Sequence, residues 1–120
     1  MADIVEQRPL TSRKESPVVE NPPGIFRTTL SYNQQSMLCH FSMKQGARIP
    51  FHHHTAVQNG YVVSGRVRFQ RQDGSTFEAS AGTAYAFGPD EPHAAEVLQD
   101  SEVVEFFAPM RPEYALPAGR

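Results

Sequence analysis

The chain places three histidines where they can share one metal ion. His52 and His54 stand two apart in a run of three histidines, and His93 follows far downstream after two prolines. Side chains two apart on an extended strand point to the same face, so we expect His52 and His54 to act together. An imidazole from a distant strand would complete a site of the kind that binds transition metals. We expect the function to lie there.

The remaining donors are limited to nitrogen and oxygen. Cys39 is the one cysteine of the chain, so it forms neither an intrachain disulfide nor, by itself, a thiolate metal site. Imidazole suits several divalent transition metals. The residues therefore leave the ion open among zinc, nickel, iron and manganese.

Composition excludes several classes of function. The length of 120 residues suits one domain, and a net charge of −2 without a basic run argues against nucleic acid as a partner. No apolar stretch approaches the roughly 20 residues of a membrane span, and the start lacks the apolar region of a signal peptide. We therefore expect a cytoplasmic protein.

The first part of the chain differs from the rest. Residues 1–23 mix prolines with charges and contain few large apolar residues, which predicts an extended or flexible N-terminal arm. Val18 and Val19 leave two alternatives open, since they can add a strand to a sheet edge or cross to a partner subunit. Residues 24–120 are predicted to form a barrel with a C-terminal tail.

The body is predicted to be all-β. Its plainest alternation puts one set of apolar side chains on one face: Met37, Cys39, Phe41 and Met43. An Asp73-Gly74 pair predicts a tight hairpin. Further strands are predicted at 61–64, 66–71, 75–78, 84–87, 93–98 and 102–107. Eight or nine short strands with regular turns indicate an antiparallel barrel or jelly roll.

The spacing of glycines and histidines resembles the cupins, which carry two motifs around a variable segment. The second motif is found at 82–93 and ends in His93, with Val97 in place of a downstream asparagine. Gln58 stands where most cupins have glutamate. The first motif falls on Gly46, His52, His54, Gln58 and Gly65. The resemblance implies a single-domain cupin, that is, a double-stranded β-helix or jelly-roll barrel.

Segments 58–65 and 105–114 resemble a narrower group, the small cupins that open the ring of 4,5-unsaturated uronates. Ala56 and Val57 depart from that group, which has a His-Glu pair there. The metal ligands implied by the resemblance are His52, His54, Gln58 and His93. The functional residues that it implies are Glu105, in place of the group's aspartate, Phe107 and Arg111.

This resemblance implies a ring opening to the linear keto form. A neutral amide in place of a carboxylate leaves the ion with its full charge, which favours Lewis-acid chemistry over redox chemistry. Glu105 would move the proton, Arg111 would bind the uronate carboxylate in bidentate fashion, and Phe107 would form an apolar wall.

Two other functions stay open: a metal-dependent dioxygenase, and a non-catalytic cupin that binds a sugar or another small ligand. Glu105 and Arg111 also have a simpler interpretation as a surface ion pair. By resemblance, we expect a homodimer.

The other notable side chains are predicted to have structural roles. His53 points away from its neighbours and is expected in solvent, and His40 is expected on a strand surface or lining a pocket. Cys39 is expected in the core. Three aromatic residues either line the barrel mouth or pack inside it: Tyr61, Tyr85 and Phe87.

Overall fold

Eight antiparallel strands form the protein, whose structure is a computed structural model that describes residues 9–115. The strands are β1 Val18–Glu20, β2 Ile25–Tyr32, β3 Met37–Met43, β4 Arg48–His52, β5 Val57–Arg71, β6 Thr76–Ser80, β7 Ala84–Phe87 and β8 His93–Ala108. Two 3-10 turns, Arg13–Glu15 and Pro112–Tyr114, are the helical elements of this range. None of the described residues forms a helix of the length and apolarity that crossing a membrane requires. The predicted all-β class is confirmed.

Two long strands organise the sheet. β8 pairs with β3, β4 and β5, and β5 pairs in addition with β6 and β7. The sequence predicted two separate strands in each of these regions, and that was wrong. β5 continues through Gly65, where its register against β8 shifts and the backbone adopts a φ of +92°. A bulge bends the strand at this glycine instead of ending it.

The core lies on the face predicted from β3. Met37, Cys39, Phe41 and Met43 are each at most 5% exposed. Burial raises the pKa of the Cys39 thiol to about 11, so the thiol stays protonated at neutral pH. Cys39 is a core residue, as predicted.

The N-terminal segment covers part of the sheet. Val18–Glu20 pairs with β2 as an edge strand, which is one of the two arrangements expected for Val18 and Val19. Arg13 Nε donates to His40 Nδ1 at 3.2 Å, and His40 Nε2 lies 3.1 Å from Glu102 Oε1. Of the two places expected for His40, the strand surface was wrong, because the side chain lies beneath this segment and is 7% exposed. Residues 1–8 of the predicted arm, and the chain end from 116, lie outside the described residues.

We expect Gly65→Ala to destabilise the fold more than Gly82→Ala. Both glycines have a left-handed φ, which strains any other residue by about 1 kcal/mol. A Cβ at position 65 would also lie 2.6 Å from Ser101 Cα, whereas nothing lies within 4 Å of one at position 82. Urea unfolding should show a loss of about 3 kcal/mol or more for Gly65→Ala. Equal losses in the two variants would contradict the clash.

Candidate metal centre

Three imidazoles converge at one end of the barrel. His52 ends β4 and pairs across the sheet with His93, the first residue of β8. β4 ends at His52, so the expectation that His54 shares its strand was wrong; His54 lies in the loop that leads to β5. The ligand atoms of the three histidines nevertheless lie within 4.8 Å of one another.

Main-chain carbonyls fix the protonation of all three rings. His52 Nδ1 lies 2.9 Å from Pro50 O, and His54 Nδ1 lies 2.8 Å from Ala56 O. His93 Nδ1 lies 2.8 Å from the carbonyl of Glu91. A carbonyl oxygen can only accept, so each Nδ1 carries the proton and each neutral ring keeps its lone pair on Nε2. Three Nε2 lone pairs are thus available for one cation.

His93 provides a direct test of whether a cation fits. Its ring is 2% exposed and stacks on Phe87, with 4.0 Å between ring centroids. Its Nε2 is the one buried side-chain polar atom without a hydrogen-bond partner among the described residues. A buried acceptor without a donor is costly, and a metal ion would satisfy it.

Gln58 adds an oxygen donor to the histidines. Its amide nitrogen donates to Glu105 Oε2 at 2.8 Å, so Oε1 faces His54, 3.1 Å from Nε2. Both of the facing atoms are acceptors when His54 is neutral. A cation bound by both removes that conflict, and amide oxygen with imidazole is a suitable donor set for a divalent transition metal.

Burial keeps the three rings neutral. Desolvation lowers the pKa of His52 and His54, and the charge of Arg111 lowers both further. Desolvation lowers the pKa of His93 to about 4. Metal binding at neutral pH therefore does not have to displace protons from these rings.

The metal-free protein is expected to lose stability between pH 6.5 and pH 4. His93 stays neutral in the folded chain down to about pH 4, whereas an unfolded histidine gains its proton near pH 6.5. In this window the unfolded state binds more protons, so acidification favours unfolding by up to about 2 kcal/mol between pH 7 and pH 5. Urea unfolding after chelation should show this loss. His93→Gln should reduce it, whereas a variant of exposed His53 should not.

Glu105 lies inside the protein beside Gln58. It is 5% exposed and accepts hydrogen bonds from Gln58 and from the Tyr85 hydroxyl. Burial raises the pKa of its carboxyl. Its Oε1 accepts no hydrogen bond from the residues that the structure describes. The interpretation of Glu105 and Arg111 as a surface ion pair was wrong, because the carboxylate is buried and Arg111 pairs with Glu113.

Arg111 and Phe107 continue the site from His54. Phe107 is 1% exposed and lies 5.9 Å from the His54 ring centroid. The Arg111 guanidinium lies 5.1 Å above the Phe107 ring and 4.0 Å above Tyr114. Its Nε and Nη2 donate to Glu113 Oε2 at 3.3 and 3.1 Å. The residues named by the resemblance are thus contiguous with the histidines.

The remaining histidine and aromatic residues differ in their exposure. His53 is exposed, as predicted, with its Nδ1 3.5 Å from Asp90 Oδ1. Tyr61 points outward and is 51% exposed, whereas Tyr85 and Phe87 pack in the core. Two contacts were not predicted from the sequence: that of Glu113 with Arg111 and that of Tyr85 with Glu105. Gly60, a glycine inside a strand, was a signal for the second, since such a glycine indicates a close approach.

Comparison with known proteins identifies the family. The cupin domain model matches residues 39–108, more than half of the chain. This chain belongs to the cupin family. The cupin fold predicted from the sequence is therefore confirmed. A search of curated proteins finds no match.

Solved structures agree on the fold of this cupin. An RmlC-like cupin from Shewanella frigidimarina has a TM-score of 0.83 at 22% identity, covering 90% of this chain and 96% of its own. KdgF from Halomonas sp. has a TM-score of 0.79 at 27% identity, covering 87% and 97%. Oxalate decarboxylase from Lactobacillus farciminis has a TM-score of 0.71 at 18% identity, covering 90% of this chain and 35% of its own.

Proposed function

We propose that this cupin holds a divalent metal and opens the ring of a small 4,5-unsaturated uronate. Its ligands would be His52, His54, His93 and Gln58. The observation that carries the proposal is the amide oxygen of Gln58 directed at His54 Nε2 while the amide nitrogen is bound to buried Glu105. The similarity to KdgF, which represents the uronate ring-opening type that the sequence resembles, supports the substrate class.

The donor set suits polar chemistry. Three imidazoles and one amide are all neutral, so a bound divalent ion would keep its full charge and polarise a substrate oxygen as a Lewis acid. Four protein ligands leave a position for that oxygen in a five- or six-coordinate site. No oxidant is needed, because the proposed reaction is an isomerisation.

Glu105 would transfer the proton. In the reaction, the anomeric hydroxyl loses its proton as the bond from C1 to the ring oxygen breaks. C4 gains a proton as that oxygen becomes a carbonyl at C5, so all atoms are kept. Oε2 of Glu105 is occupied by its two donors, which leaves Oε1 as the acid/base atom. Burial raises the pKa of this carboxyl, so it holds a proton more readily than an exposed glutamate does.

Arg111 would bind the carboxylate of the substrate. Its guanidinium is already paired with a carboxylate, that of Glu113, whose side chain is 57% exposed. Substrate would exchange with Glu113 for the same donors, because guanidinium binds carboxylates in this planar geometry. Phe107 would form the apolar wall, since its ring packs against both the His54 ring and the Arg111 guanidinium.

Loss of the conjugated chromophore of an unsaturated galacturonate or mannuronate monomer tests the proposal. The purified protein is analysed for metal, assayed, stripped with a chelator and assayed again after metal is restored. We expect metal-dependent loss of absorbance with no oxygen uptake. Oxygen consumption by the iron form would indicate a dioxygenase instead. Thermal stabilisation by the sugar without turnover would indicate a binding protein.

We also propose a homodimer. Val18 and Val19 are 60% and 41% exposed on edge strand β1. The outer sheet face carries an apolar groove of about 540 Å³, lined by Leu38, Tyr61, Val104 and Phe106 among others. Exposed apolar faces of this kind favour association. Light scattering should give twice the 13.4 kDa chain mass, and the single-chain mass would contradict the proposal.

A further inference from the structure

We propose that Tyr85 is a positioning residue that acts through Glu105 to hold the Gln58 amide with its oxygen towards the metal. The inference rests on the metal site of the proposed function and is independent of the uronate. Tyr85 touches neither the histidines nor the side chain of Gln58 through any hydrogen bond of the described residues. Its effect on the metal would therefore pass through one carboxylate.

A glycine makes the contact between Tyr85 and Glu105 possible. Gly60 on β5 is the register partner of Tyr85 on β7 and of Glu105 on β8. A Cβ at position 60 would overlap the phenol ring of Tyr85. Because Gly60 lacks that atom, the ring crosses over β5 and its hydroxyl reaches the carboxylate beyond.

Both donors to Glu105 meet on the same oxygen. The Tyr85 hydroxyl donates to Oε2, and Gln58 Nε2 donates to Oε2 at 2.8 Å. Tyr85 is 7% exposed and its ring lies 4.4 Å from that of Phe69, so the core fixes the position of its hydroxyl. The carboxylate is thus anchored through the same oxygen that accepts from the Gln58 amide.

The anchored carboxylate selects one orientation of the amide. An amide presents either its oxygen or its NH₂ group, and an ionised carboxylate can only accept hydrogen bonds. Oε2 of Glu105 therefore selects the NH₂ group, and the amide oxygen is directed at His54. Without the Tyr85 hydroxyl, the carboxylate loses one of its two hydrogen-bond donors and is free to turn. Partners that orient a metal ligand typically contribute 10–100-fold to metal affinity or activity.

Tyr85→Phe tests this role because it removes one oxygen and keeps the ring. We expect zinc affinity, measured by competition with a chromophoric chelator, to fall about 10–100-fold. The visible absorption of the cobalt(II) form should change as the oxygen donor is lost or replaced by water. Tyr61→Phe is the matched control, since it removes an exposed phenol hydroxyl on the outer face of the same sheet. It should leave both quantities unchanged.

A second variant keeps the test decisive if Tyr85→Phe folds poorly. Glu105→Leu removes the acceptor itself and should lower zinc affinity at least as much. The inference is overturned if Tyr85→Phe binds zinc and cobalt as the wild type does, or if the wild type binds neither metal. Normal metal binding without uronate turnover in the wild type would overturn the proposed reaction alone.

Discussion

Glu105→Gln is expected to abolish turnover of unsaturated uronate while the protein keeps its metal. The substituted amide retains an oxygen that accepts from Gln58 and Tyr85, as Oε2 does now. It replaces Oε1 with an NH₂ group that cannot take a proton. General acid–base catalysis contributes about 10²–10⁴-fold, so kcat should fall by that factor. Steady-state kinetics with metal analysis of the same sample would measure both effects.

Glu102→Gln provides the matched control for this experiment. Glu102 lies on the same strand, but its carboxylate contacts His40 on the other side of the sheet. Its turnover should equal that of the wild type. Full activity of Glu105→Gln would remove Glu105 from the mechanism, and loss of its metal would show that the carboxylate serves mainly to hold Gln58.

His93→Ala is expected to remove the metal altogether. His93 is the most deeply buried of the three imidazoles, and its Nε2 has no hydrogen-bond partner among the described residues. Loss of a direct ligand should exceed the effect of its supporting partners, so affinity should fall on the order of 10³-fold or more. Elemental analysis should then find no metal, and metal should no longer raise the melting temperature.

His53→Ala is the control for His93→Ala. His53 belongs to the same run of histidines, but its side chain is 65% exposed and turned away from the cluster. Its metal content should match that of the wild type. Equal metal loss in both variants would point to nonspecific binding by the histidine run and contradict a built site.

The spacing of the motifs predicted the histidine cluster and the fold because both depend on local pattern. Alternation placed Cys39 and its neighbours in the core, and paired motifs placed His93 with His52. Strand lengths were not predictable from pattern alone. Gly65 bends β5 at the point where the sequence suggested that a strand ends. β8 pairs with three strands and continues without the break that the sequence predicted.

The contacts around Glu105 depend on tertiary structure. Its burial and its contact with Tyr85 follow from how three strands meet at Gly60. Glu113 pairs with Arg111, two residues before it, within a turn. Hydrophobic periodicity does not indicate such a pairing. Burial of His40 likewise depends on the N-terminal segment, which packs over β3 and contributes Arg13.

The three imidazoles are oriented by peptide carbonyls, and this has an evolutionary consequence. Each Nδ1 partner belongs to the main chain, at Pro50, Ala56 and Glu91. Mutation changes side chains and leaves these carbonyls in place as long as the backbone path is kept. The orientation of the three rings is therefore insensitive to side-chain substitutions in the surrounding pocket. Selection can redesign the residues that meet the substrate, and with them the reaction specificity, without rebuilding the metal site.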